Sequence, residues 1–151
     1  MATRRAPFWL AAVGFFVLAV MAAPTKAQEG RLLVELNQLE DMEQGCRGAV
    51  VFTNEMDMTI QELAIEVAVF DHDERVKNLW LLPARNLAPG KIRVRQFLFQ
   101  EDSCADIGSI LLNDVVNCEV DGDLDPEECL ARTSVSSRID VPFISSAGDE
   151  N

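Results

Sequence analysis

The side chains best equipped for chemistry lie in one acidic stretch, Asp121-Gly122-Asp123-Leu124-Asp125-Pro126-Glu127-Glu128. Alternating carboxylates offer hard oxygen ligands, and a D-x-D-x-D series is the kind of run that wraps Ca2+. Measured against an EF-hand loop begun at Asp121, the stretch departs twice. Pro126 stands at position six, where a glycine makes the turn, and Arg132 stands at position twelve, where a bidentate glutamate closes the shell. Two readings remain: a looser Ca2+ loop using Asp121, Asp123, Asp125, Glu127 and Glu128, or a solvated acidic turn. The two departures favour the turn, and no other cofactor is indicated.

His72, the only histidine, sits between Asp71 and Asp73. An imidazole flanked by carboxylates could sense pH or assist a transition metal. Catalysis needs more, a nucleophile or second base brought to the same place, and nothing nearby in the sequence supplies one. Ser134, Ser136 and Ser137 have no G-x-S-x-G context, and Gly45 and Gly48 form no phosphate-binding pattern. With one His and no Tyr, the catalytic inventory is nearly empty, so the chain is not expected to be an enzyme.

Charge narrows the partners. The 151 residues carry 13 basic and 25 acidic side chains, net −12. Met1–Ala27 holds three of the basic ones (Arg4, Arg5, Lys26) and no acid, so the remainder has 10 against 25, net −15. Such a polyanion repels nucleic acid and anionic lipid, and neither is expected as a partner. Lys91, Arg93 and Arg95 run against the trend. At alternate positions they share one side of a strand candidate, read as its exposed face. They either meet Glu62 and Glu66 across strands, at ~0.2–1 kcal/mol per pair, or form the charged rim of a partner site.

The elements that position these residues begin after an export segment. Arg4 and Arg5, the apolar run Phe8–Ala23 and the Thr25-Lys26-Ala27 ending give the three parts of a secretory signal, with cleavage expected before Gln28 or, alternatively, after Ala22. The apolar run is shorter than the ~20 residues of a spanning helix, which makes an uncleaved anchor the weaker reading. The arginine pair partly fits a twin-arginine signal, although Pro7 intrudes, so Sec and Tat routes both stay open. The expected location is the periplasm, with the membrane touched only through the signal before cleavage. Cys46, Cys104, Cys118 and Cys129 suit that oxidising compartment. No C-x-x-C spacing supports zinc. Four cysteines allow three pairings, and Cys46–Cys104 with Cys118–Cys129 is preferred because the second pair brackets the acidic stretch.

Between residues 28 and 144 the apolar residues recur mostly at period two between turn signals. Leu33–Leu36 opens a first strand, though Leu32, Leu36 and Leu39 also fit a helical stripe. Ala49–Thr53 follows, then Ile60–Asp71, where Leu63, Ile65, Val67 and Val69 alternate with Glu62, Ala64, Glu66 and Ala68. A turn at Asp71–Glu74 leads to Val76–Leu82, and Pro83 marks an edge. Leu87-Ala88-Pro89-Gly90 is a turn before Lys91–Phe99, with a bulge expected near Gln96 because Phe97 and Phe99 continue the parity of the arginines. Ile107–Cys118 and Ser134–Phe143 complete about seven strands. The pattern predicts an all-β, immunoglobulin-like antiparallel sandwich, with Ser145–Asn151 as a disordered tail.

Three segments carry a family resemblance: Phe52-Thr53-Asn54, Ile65-Glu66-Val67-Ala68-Val69-Phe70-Asp71 and Leu87-Ala88-Pro89-Gly90-Lys91. Together they resemble FxLYD-type immunoglobulin-like domains, with Phe70-Asp71 standing where that family has Tyr-Asp. The match covers about Cys46 to Phe99 and implies a fold rather than a reaction. Glu35-Leu36-Asn37, Gly45-Cys46-Arg47 and Gly108–Val115 are similar to segments of proteobacterial exported proteins labelled only by a twin-arginine signal. The function expected is a non-catalytic periplasmic binding or assembly-accessory module, its partner another envelope protein. A Ca2+-stabilised module built on the acidic loop 121–128 is the first alternative, and an enzyme of unknown class the second.

Overall fold

The computed structural model describes residues 30–100, 102–122 and 124–147. The export segment expected at Met1–Ala27 lies outside the described residues. The described residues form eight strands: β1 (Leu32–Met42), β2 (Gly45–Asn54), β3 (Ile60–Phe70), β4 (Val76–Leu87), β5 (Ile92–Gln100), β6 (Ser109–Val120), β7 (Thr133–Ser137) and β8 (Phe143–Ser145). One short helix, α1 (Pro126–Ala131), joins β6 to β7, and a 3-10 turn at Cys104–Asp106 joins β5 to β6.

Period two decides the early strands. Leu32, Val34 and Leu36 are buried in alternation, which resolves the helix-or-strand ambiguity of that segment in favour of β1. Phe52, Val50 and Cys46 do the same on β2, and Leu63, Ile65, Val67 and Val69 on β3. Their inward faces meet between two four-stranded sheets, ordered β5-β2-β1-β7 and β4-β3-β6-β8. β5 stacks against β4 at one side of the sandwich and β7 against β8 at the other. Edge-to-face aromatic pairs, Phe52–Phe97 and Trp80–Phe99, fill the β4/β5 side. Placing β2 beside β5 and β3 beside β6 reproduces the B–E and C–F neighbours of an immunoglobulin sandwich.

Several details differ from expectation. The single strand anticipated from Ser134 to Phe143 is two, β7 in one sheet and β8 in the other, because the chain bends between Arg138 and Pro142. Both lie parallel to their neighbours, β7 to β1 and β8 to β6, so the sheets are not wholly antiparallel. Packing also runs past residue 144. Ser145 closes β8, and the Ser146 amide donates to the Leu112 carbonyl at 2.9 Å. Residues 148–151 of the expected tail lie outside the described residues. β4 continues through Pro83 to Leu87, which an edge strand tolerates because its outer donors need no partner.

Both preferred disulfides are formed. Cys46–Cys104 ties β2 to the 3-10 turn, and Cys118–Cys129 ties β6 to α1. Two disulfides are consistent with an oxidising compartment. An ion pair closes the β1 side: Arg138 Nε and Nη2 donate to Glu35 Oε1 and Oε2 at 2.9 and 3.1 Å. The Arg138 hydrogen bond, with a second from Asn37, holds the Glu35 carboxyl below its ordinary value of 4.5. A depressed folded value means that this contribution is present above about pH 4.5 and is lost as pH falls through the folded value. Arg138→Met should therefore lower the melting temperature at about pH 7 and less at about pH 3. A deficit that stays constant in thermal melts across that range contradicts this assignment.

Candidate functional site

The register of β5 against β2 is unbroken from Thr53↔Ile92 to Gly45↔Gln100, so the bulge expected near Gln96 is absent. Parity is therefore kept along the whole strand. Phe99 is buried and Phe97 half-buried, which puts Arg93 and Arg95 on the inner parity as well. Ile92 and Val94 face outward, 64% and 60% exposed. The exposed face assigned to the arginines is thus corrected: they lie on the side of the aromatics. Burying two phenylalanines outweighs burying Ile92 and Val94, and at an edge an arginine lays its stem along apolar surface while its head reaches past the rim.

The partners expected for these cations are also corrected. Glu62 and Glu66 belong to β3 in the other sheet, where Glu62 meets Arg85 of β4 at 3.7 Å and Glu66 accepts from Asn113 at 2.7 Å. Arg47, Arg75, Lys77, Arg85, Arg132 and Arg138 each meet a carboxylate. Lys91, Arg93 and Arg95 have none among the described residues, despite the surplus of acid. Arg95 is exposed, while the Arg93 Nε is buried without a hydrogen-bond partner, a donor that has lost water and gained no acceptor. On the outer face Val94 lies beside Val51, and Ile92 beside Thr53, which in turn neighbours Leu33.

The four sheet edges are not equivalent. β7 and β8 are short, and Pro83 interrupts the donors of β4, three devices that blunt an edge. β5 is a nine-residue edge strand with no proline. A long edge presents unpaired backbone N–H and C=O groups at strand spacing, which makes it a template for another strand. Sequence parity located the strand and its cations; the pairing that leaves them unmatched depends on which strands share a sheet.

Elsewhere, the acidic stretch and the histidine serve the fold. Asp125 caps α1, its Oδ1 accepting from the Glu128 amide at 2.7 Å, with Pro126 in the first turn and Glu127 and Glu128 beside it. Glu128 also pairs with Arg132, and Asp121 accepts from the Gln61 amide. Asp123 lies outside the described residues. Among the described residues, no three His, Cys, Asp or Glu side chains are gathered as a cation would need. The signals for this helix, an N-cap Asp followed by Pro and two acids, are present in the sequence but read there as a turn. His72 is exposed in the β3–β4 turn, where its Nε2 donates to the Ala105 carbonyl at 2.9 Å. Asp71 is a turn-former: its Oδ1 accepts from the amides of Arg75 and Asp73, and the Arg75 bond is the main reason its carboxyl stays below the ordinary value.

Asp102 carries no sequence signal yet is the most enclosed charge among the described residues, 1% exposed and lining a cleft of about 490 Å3 with Asp41, Glu43 and Ser103. Lys77 Nζ lies 3.3 Å from one oxygen and Asn78 donates to the other at 3.1 Å, so its charge is already answered. Two neighbours in that lining hold the 3-10 turn: Asp41 Oδ1 accepts from the Cys104 amide at 2.9 Å and the Ser103 hydroxyl from the Ala105 amide at 3.3 Å. Among the described residues Arg47 Nε and Trp80 Nε1 are also buried without a hydrogen-bond partner, but only the β5 edge combines such a donor with neighbouring cations that meet no carboxylate and with an unpaired strand backbone. Comparisons with protein-family models, curated proteins and solved structures find no match to the chain.

Proposed function

We propose that the protein is a non-catalytic binding or assembly-accessory module of the bacterial envelope, exported to the periplasm, and that its partner docks at the β5 edge. One observation carries the reading: among the described residues, Lys91, Arg93 and Arg95 sit together without a carboxylate partner despite the surplus of acid, whereas Arg47, Lys77 and Arg85 on β2 and β4 each meet one, and they lie on or beside the one long edge strand without a proline. Charges left unmatched within a fold are available to complementary charge on another molecule. The two disulfides and the immunoglobulin-type sandwich support an extracytoplasmic interaction role, as does the resemblance to FxLYD-type domains.

The test reverses the two cations nearest solvent. Lys91→Glu/Arg95→Glu in tagged mature chain should keep the wild-type circular dichroism spectrum and lose, by about tenfold or more, the envelope protein that co-purifies with the wild type. Equal recovery by both proteins would overturn the β5 assignment.

A further inference from the structure

We infer that the partner group at β5 is an extended segment that adds to the sheet as a new edge strand and alternates aliphatic with acidic residues. This rests on the β5 docking reading and specifies its chemistry. A strand added beside β5 lies about 4.8 Å away, and its side chains alternate between the two faces in step with those of β5. One set falls on the outer face beside Ile92 and Val94, which are largely exposed and continue the apolar neighbours Val51 and Leu33. Aliphatic side chains there remove apolar surface from water on both partners. The other set falls on the opposite parity, beside Lys91, Arg93 and Arg95. Carboxylates there supply the acceptors that the chain's own acids do not.

The backbone adds the remaining specificity. β5 has an unbroken ladder to β2 on one side and no strand among the described residues on the other, so its outer N–H and C=O groups are spaced for a second ladder. The net charge of the domain opposes an acidic segment only at range. At physiological salt the Debye length is about 8 Å, so the contacting cations dominate once the strand is in place. Cations on an edge strand can also act as guards against self-pairing. A guard requires no complement, and that role makes the opposite forecast for an acidic strand.

The probe is a synthetic heptapeptide of alternating valine and glutamate, with its lysine counterpart as control, added to the oxidised mature protein. The glutamate peptide should bind and slow hydrogen exchange at the outward β5 amides by about tenfold, with β3 amides unchanged. Lys91→Glu/Arg95→Glu should abolish that binding and admit the lysine peptide, while Lys91→Gln/Arg95→Gln should weaken the first without admitting the second. No binding by the glutamate peptide at millimolar concentration, equal binding by both peptides, or binding without β5 protection would each overturn strand addition. If those results appear while the charge-reversed protein still loses its envelope partner, docking at β5 stands and only its mode falls. If the partner is retained, docking itself falls.

Discussion

Cys46→Ala/Cys104→Ala lowers the stability of the sandwich by about 4 kcal/mol, on the chain-entropy scale for cysteines 58 residues apart. For a domain of this size that is roughly a 10–20 °C fall in melting temperature. The effect is large because Cys46 is fully buried on an inner strand while Cys104 sits in the connection between the two sheets. The bridge keeps two distant parts of the unfolded chain together. Cys118→Ala/Cys129→Ala, with a separation of 11, costs about 3 kcal/mol by the same reasoning. Non-reducing thermal melts of both variants check the order. A greater loss from the shorter bridge would show that native packing around α1, rather than loop closure, sets these values.

Asn54→Ala should be comparably damaging, at about 3–5 kcal/mol, although it removes no apolar core. Asn54 is fully buried at the end of β2. Its Nδ2 donates to the Leu87 and Met58 carbonyls at 2.7 and 2.9 Å, and its Oδ1 accepts from the Met56 amide at 3.0 Å. The backbone joins the same hub: the Asn54 amide donates to Lys91 O at 3.0 Å and its carbonyl accepts from Gly90 at 2.7 Å. Truncation strands buried backbone groups on two loops, and each such group costs about 1–3 kcal/mol. Asn54→Asp retains the acceptor, loses both donors and buries a charge, so it should not rescue. Urea unfolding of both variants tests this; a loss under about 1 kcal/mol for Asn54→Ala would mean that water replaces the amide at little cost.

Asn54 also marks the limit of what composition and spacing reveal. In the sequence it reads as the residue that ends a strand. Two of its side-chain bonds are local, to Met56 and Met58, but the third joins it to Leu87, 33 residues away, a contact that local pattern does not encode. The strand cores were legible because burial on one face imposes period two, as at Leu63, Ile65, Val67 and Val69. For β5 the same period was legible while the choice of face was not. An edge strand leaves apolar Ile92 and Val94 outside at modest cost, so polarity ceases to identify the outer side. Phe97 and Phe99 held the answer, since their parity is that of the arginines and aromatic burial is worth more. The cations of the candidate site were therefore found from the sequence, and their isolation was not, because it depends on Glu62 and Glu66 lying in the opposite sheet. Parallel pairing of β7 and β8 had no local signal either.

The position of β7 makes it a clock for folding. β1 is an interior strand only because β7 covers its second side, and the Glu35–Arg138 pair across that seam joins residues 103 apart. A chain that emerges from its N-terminal end can form the β1–β2 hairpin early, but the other flank of β1 stays open until Thr133–Ser137 has arrived. Until then a hydrogen-bonding edge that the finished protein never shows is accessible to any neighbouring strand. Residues 133–137 thus decide when β1 becomes safe, and a translation pause before residue 133 would prolong that hazard.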